Sequence, residues 1–160
     1  MKGFILFLVF AVATLVAASS FAGPKLPEAC KILPAPDVEK VVGAGFKVSS
    51  FTGTASDNSS CSYLKDARNV VTLLIVPLGL GEDGFTGDTA VALKEMQKAY
   101  AGKIVTIEGA GEGAFRMNTP NNMAVHFGKS PWHVVLTVVV DGKPDSAAAE
   151  KLAKTVYPRL

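Results

Sequence analysis

Val70-Val71-Thr72-Leu73-Leu74-Ile75-Val76 is the stretch on which the fold turns. It is nearly all apolar and short, so it reads as a central β-strand covered on both faces. Working outward toward the N-terminus, Lys65-Asp66-Ala67-Arg68-Asn69 is a loop of hairpin length, and Cys61 to Leu64 is the strand that it returns to. Thr52 to Ser60 is a Gly/Ser/Thr/Asn loop, and Phe46 to Phe51 is a further strand. Ahead of it a short helix is expected, with Pro36 in its first turn, Asp37 and Glu39 at the positive end of its dipole and Gly43 closing it. Prolines 24, 27, 34 and 36 make residues 23 to 36 an extended lead-in.

Working outward toward the C-terminus, a glycine-rich loop from Pro77 to Gly87 leads into a second helix capped by Asp88 or Thr89. Ala92, Leu93, Met96, Ala99 and Tyr100 form its apolar stripe, and Gly102 ends it. Ile104 to Glu108, Ala114 to Met117, Met123 to Phe127 and Trp132 to Val140 are further strands. The last helix carries Asp145 or Ser146 as its cap and Ala149, Leu152, Ala153 and Val156 on one face, and Pro158 stops it. Strands arriving in runs, rather than alternating singly with helices, predict an α+β fold: a mostly antiparallel sheet packed against two to three helices.

The chain of 160 residues is 49% hydrophobic and 19% charged, with a net charge of +2. That is one domain's worth of length and too apolar for disorder, and so balanced a charge provides no broad basic surface for nucleic acid. Residues 1 to 22 read as a secretory signal peptide: Lys2, an uncharged apolar run from Phe4 to Ala18, and Ser20-Phe21-Ala22 as the cleavage site. The run is short for a membrane span. Residues 23 to 160 are then a single secreted or periplasmic domain without a stable membrane span after processing.

Export gives the two cysteines their meaning. In an oxidising compartment, Cys30 and Cys61 are expected to form one disulfide closing a loop of about 30 residues. Their spacing lacks the two-apart arrangement of dithiol enzymes, and a zinc site would need two further ligands.

Several patterns invite chemistry. Gly79-Leu80-Gly81-Glu82-Asp83-Gly84 follows a strand and precedes a helix, as a dinucleotide fingerprint does, with Glu108 further on. Glu82 and Asp83 would set two carboxylates where a pyrophosphate must sit, so a strand-to-helix loop is the better reading. Gly109-Ala110-Gly111-Glu112-Gly113 lies between strands and reads as a tight turn. Whether the loops at 79–87 and 109–113 bind anything is not decided by their composition. Glu82, Asp83 and Asp88 lack the spacing of a calcium loop. Ser130 is near two histidines in sequence, but a hairpin turn would direct it into water, and no G-x-S-x-G elbow occurs. No catalytic or cofactor-binding residue is assigned and no cofactor is expected.

For metals, His126 and His133 are the only candidates, and no site is assigned to them. If Lys129 and Ser130 form a two-residue loop, Gly128 faces Pro131, Phe127 faces Trp132 and His126 faces His133, on one side of the sheet. Both imidazoles could then approach one zinc or copper ion, with no third ligand in view.

Cys30-Lys31-Ile32-Leu33, Asp37-Val38, Val42-Gly43, Cys61-Ser62-Tyr63, Gly111-Glu112-Gly113-Ala114-Phe115 and the alanine-rich last helix together resemble small exported bacterial proteins of unknown function, a group similar to actinobacterial envelope lipoproteins. The chain departs from them in having no lipid-attachment cysteine after its apolar run. The resemblance implies a disulfide-stapled α+β module of the cell envelope and transfers no catalytic residue. The expected function is an exported binding or accessory module, with an unknown protein or small molecule as partner and no catalysis of its own. A small secreted hydrolase and a structural envelope component are the alternatives.

Overall fold

The computed structural model describes residues 25–52, 58–78, 88–117 and 124–160. The expected signal peptide at 1–22, the Gly79–Gly84 motif, and Glu82 and Asp83 lie outside the described residues. A one-turn helix, α1 (Ala29–Ile32), precedes α2 (Ala35–Val42). Then come β1 (Lys47–Thr52), β2 (Ser59–Asp66), β3 (Asn69–Pro77), α3 (Thr89–Ala99), β4 (Ile104–Thr106), β5 (Phe115–Met117), β6 (Val125–Lys129), β7 (Trp132–Val140), β8 (Lys143–Pro144) and α4 (Ser146–Val156). A 3-10 turn, Tyr157–Arg159, follows α4 and contains Pro158.

Among the described residues all eight strands join one sheet in the order β1-β2-β3-β7-β6-β5-β4, with β8 beside β7. Every pairing is antiparallel. The sheet is therefore two meanders, β1-β2-β3 and β4-β5-β6-β7, that meet where β3 runs against β7 with Leu73 opposite Leu136. The expected α+β fold is what the chain adopts.

On the first face, Cys61, Tyr63, Val71, Leu73, Ile75, Val125, Phe127, Val134, Leu136 and Val138 are buried in one cluster with α1, α2 and α4. Leu152, Ala149, Ala153 and Val156 make the inner stripe of α4, and the Asp145 carboxylate caps it by accepting from the Ala148 N–H. Cys30 of α1 is disulfide-bonded to Cys61 of β2, with Cα atoms 5.1 Å apart. Beside that bridge the Ala29 N–H donates to Ser59 Oγ, and the buried Tyr63 hydroxyl donates to the Leu33 carbonyl. Burial pushes that phenol up to about 12, so it stays a donor at any ordinary pH. Asp37 of α2 ties the end of the chain to this face, 2.9 Å from Lys40 and 2.8 Å from Arg159.

Three readings are corrected. The lead-in is not wholly extended, because α1 forms one turn between Pro27 and Pro34. β3 is not covered on both faces: Val71, Leu73 and Ile75 are fully buried, whereas Val70, Thr72, Leu74 and Val76 are half-buried. The β6–β7 loop is Ser130-Pro131, so that Lys129 faces Trp132, Gly128 faces His133 and His126 faces Val135. Proline has no N–H for the ladder, which is the reason Pro131 falls in the loop and does not pair with Gly128.

Candidate functional site

The second face of the sheet holds the chemistry. On β6 the alternation that buries Val125 and Phe127 against α4 turns His126 to the second face, and the same alternation on β7 turns His133 there. His126 and His133 are diagonal neighbours across the hairpin, with Nδ1 of His126 3.2 Å from Nε2 of His133. The ring centres are 5.4 Å apart and the planes differ by 21°. That separation is nearly the N···N distance plus the two ring radii, so the imidazoles meet edge to edge, one donating and the other accepting. Phe115 of β5, opposite His126 in the ladder, lies parallel to its ring with centres 4.9 Å apart.

α3 covers this end of the face. It is the helix that packs on β6 from that side, burying Thr89, Ala92 and Leu93, none of which belongs to the first-face core. Asp88 caps it, accepting from the Ala90 and Val91 N–H groups, and the Thr89 N–H donates to Ser130 Oγ at 3.0 Å. Ser130 is therefore engaged with α3 and not simply directed into water. A Cβ on Gly128 would lie 2.2 Å from the Trp132 carbonyl oxygen and 2.6 Å from Thr89 Cγ2, so only glycine lets the first turn of α3 approach the hairpin. The Thr89 hydroxyl is buried there without a hydrogen-bond partner.

Burial pushes the His126 imidazole below its ordinary range; burial, reinforced by the positive charge His126 would carry, pushes His133 down to about 4. Both rings are neutral at pH 7. Among the described residues no group of three or more His, Cys, Asp or Glu stands close enough together to hold a metal ion, and the facing nitrogens of the two histidines are spent on each other.

Away from α3 the second face is a patterned surface. The register lines up Ser49, Ser62, Thr72 and Thr137 in a straight row across β1, β2, β3 and β7. Ser62 Oγ and Thr72 Oγ1 are 3.4 Å apart within it. An aliphatic row, Leu64, Val70 and Val139, runs along one side, and Leu74 and Val135 run along the other. Leu64 is 40% exposed and the rest of both rows is half-buried. Sequence reading missed this row: the alternating hydroxyls are visible in each strand, but only the register brings them into line.

The remaining motifs are structural where they are described. Gly109, Gly111 and Gly113 all have positive φ, and a Cβ on Gly111 would lie 2.4 Å from the Tyr157 ring, so protein side chains fill the space a ligand would need. An open cleft of about 460 Å³ lies at the start of α4. Its Arg68 guanidinium donates to the Asp141 carbonyl and its Asp145 carboxylate caps α4, so both are committed to the turn. No helix among the described residues is long and apolar enough to cross a membrane. No protein-family model, curated protein or solved structure matches the chain.

Proposed function

We propose that the chain is an exported binding or accessory module of the bacterial cell envelope, secreted or periplasmic, that works through the second face of its sheet and performs no catalysis. The observation that carries this reading is the hydroxyl row of Ser49, Ser62, Thr72 and Thr137 set between two aliphatic rows on a face that α3 covers only at one end. Such a surface offers apolar contact with aligned hydrogen-bonding groups, the combination that binding sites use for affinity and orientation. The disulfide fits an oxidising compartment, and the leader-like residues 1–22 supply the route to it. The resemblance to small envelope proteins agrees with both.

Two measurements test this. Mass spectrometry of the exported protein is expected to find Gly23 at the N-terminus; Met1 retained, or a diacylglycerol adduct, refutes the address. Hydroxyl-radical footprinting in a native envelope extract is expected to show protection on β2, β3 and β7 that Thr72→Arg removes while the circular dichroism stays native. Protection confined to other surfaces, or unchanged by Thr72→Arg, refutes the binding face.

A further inference from the structure

We propose that the His126–His133 pair is an acid-sensitive latch: neutral, it lets α3 lie against the sheet, and when protonated it drives the first turn of α3 off and uncovers that end of the second face. This stands whether or not the second face binds a ligand.

The geometry does not accommodate a positive charge on both rings at once. His133 is 7% exposed, and its Nε2 faces Nδ1 of His126 at 3.2 Å. One proton between the two facing nitrogens gives a hydrogen bond, which survives when one ring becomes imidazolium; with both rings fully protonated, two donors point at one another and two like charges stand at contact distance in a low dielectric. Among the described residues nothing nearby compensates. α3 turns Thr89, Ala92 and Leu93 inward, while its Asp88, Lys94, Glu95 and Lys98 are exposed, with Asp88 committed to the cap and Lys94 paired with Glu112, Glu95 with Lys98. β5 contributes the Phe115 ring, and its Arg116 is on the opposite face with Glu150 of α4. β7 and β3 contribute Val135, Leu74 and Val76, and Lys129 of β6 is on the opposite face, donating to Leu160. The start of α3 also brings the positive end of its dipole to this place, which opposes further positive charge.

α3 is the part that yields. The hairpin carrying the histidines is held by ladders to β3 and β5 and by α4 beneath it. The first turn of α3 has one polar tie to it, the Thr89 N–H on Ser130 Oγ, and keeps the Thr89 hydroxyl buried without a partner, a cost that exposure to water removes. The far end is better anchored, because Gln97 Nε2 donates to the Gly113 carbonyl at 2.8 Å and Lys94 pairs with Glu112. Protonation therefore lifts the helix from its N-terminal end.

Hydrogen exchange of the full chain, corrected for intrinsic rate, tests the latch. Between pH 7 and about pH 4.5 the amides of α3 are expected to lose protection by at least about tenfold while those of α4 hold. A double variant, His126→Phe with His133→Leu, is expected to keep α3 protected at both pH values. Retention of α3 protection in the native chain, simultaneous loss in α3 and α4, or the same α3 loss in the double variant each overturns the proposal. Should the variant fail to fold, the imidazole nitrogen-15 shifts of the native chain decide: both rings protonating together with α3 opening supports the latch, and either ring titrating near its free value with α3 still protected overturns it.

Discussion

Two imidazoles that share one proton in a largely buried site leave a signature in the pH dependence of stability. In the unfolded chain a histidine titrates near 6.5, whereas His133 in the fold is pushed down to about 4 by burial and by its neighbour. Between those values the unfolded chain binds more protons than the folded one, so stability rises with pH across the window. It is fully present above about 6.5 and is lost as the pH falls toward 4. Denaturant unfolding at pH 7 and at about pH 4.5 is expected to differ by roughly 2 to 3 kcal/mol, with His126 contributing in the same direction. Asp37, held low first by Lys40 and then by Arg159, does not confuse the comparison. Its contribution is present above the ordinary carboxylate range and disappears only at lower pH. Equal stability at the two pH values would mean that the pair is solvated and that the contact between the rings does not persist.

The helices differ in how firmly they are held, and the difference is measurable. α4 buries Ala148, Ala149, Leu152, Ala153 and Val156 in the main core, with Leu152 fully enclosed. Leu152→Ala is expected to cost about 2 to 5 kcal/mol in denaturant unfolding, and a loss below about 0.5 kcal/mol would show that α4 does not pack there. Its cap, stripe and stop were legible in the sequence because Asp145, the alanine-leucine spacing and Pro158 act locally. The same holds for α2 between its prolines and Gly43, and for Asp88 at α3. What stayed hidden depends on tertiary placement. An all-apolar run such as Val70–Val76 looks the same whether one face or both are covered, and four residues between prolines give no period from which α1 could be read. The histidine contact was legible for a subtler reason. Moving the hairpin loop by one residue shifts each cross-strand partner by two, which changes who faces whom but keeps every side chain on its own side of the sheet. His126 and His133 therefore meet although their register was misread.

At the scale of the whole molecule, one covalent link joins the first helical turn to the sheet. Unfolded, unreduced protein is expected to show no free thiol, and Cys61→Ser is expected to cost about 3 to 4 kcal/mol; two titratable thiols per chain would rule the link out. The seam between the two meanders has a different importance. Hairpins within each meander close over short stretches of chain, but the β3–β7 ladder joins positions such as Val70 and Val139, about 70 residues apart, so it closes last and slowly. Until it does, two nine-residue strands rich in valine, isoleucine and leucine show bare edges to their surroundings. A newly made chain in that condition is at its most vulnerable to pairing with a neighbour, and the interval before the seam zips shut is when a chaperone would do it most good.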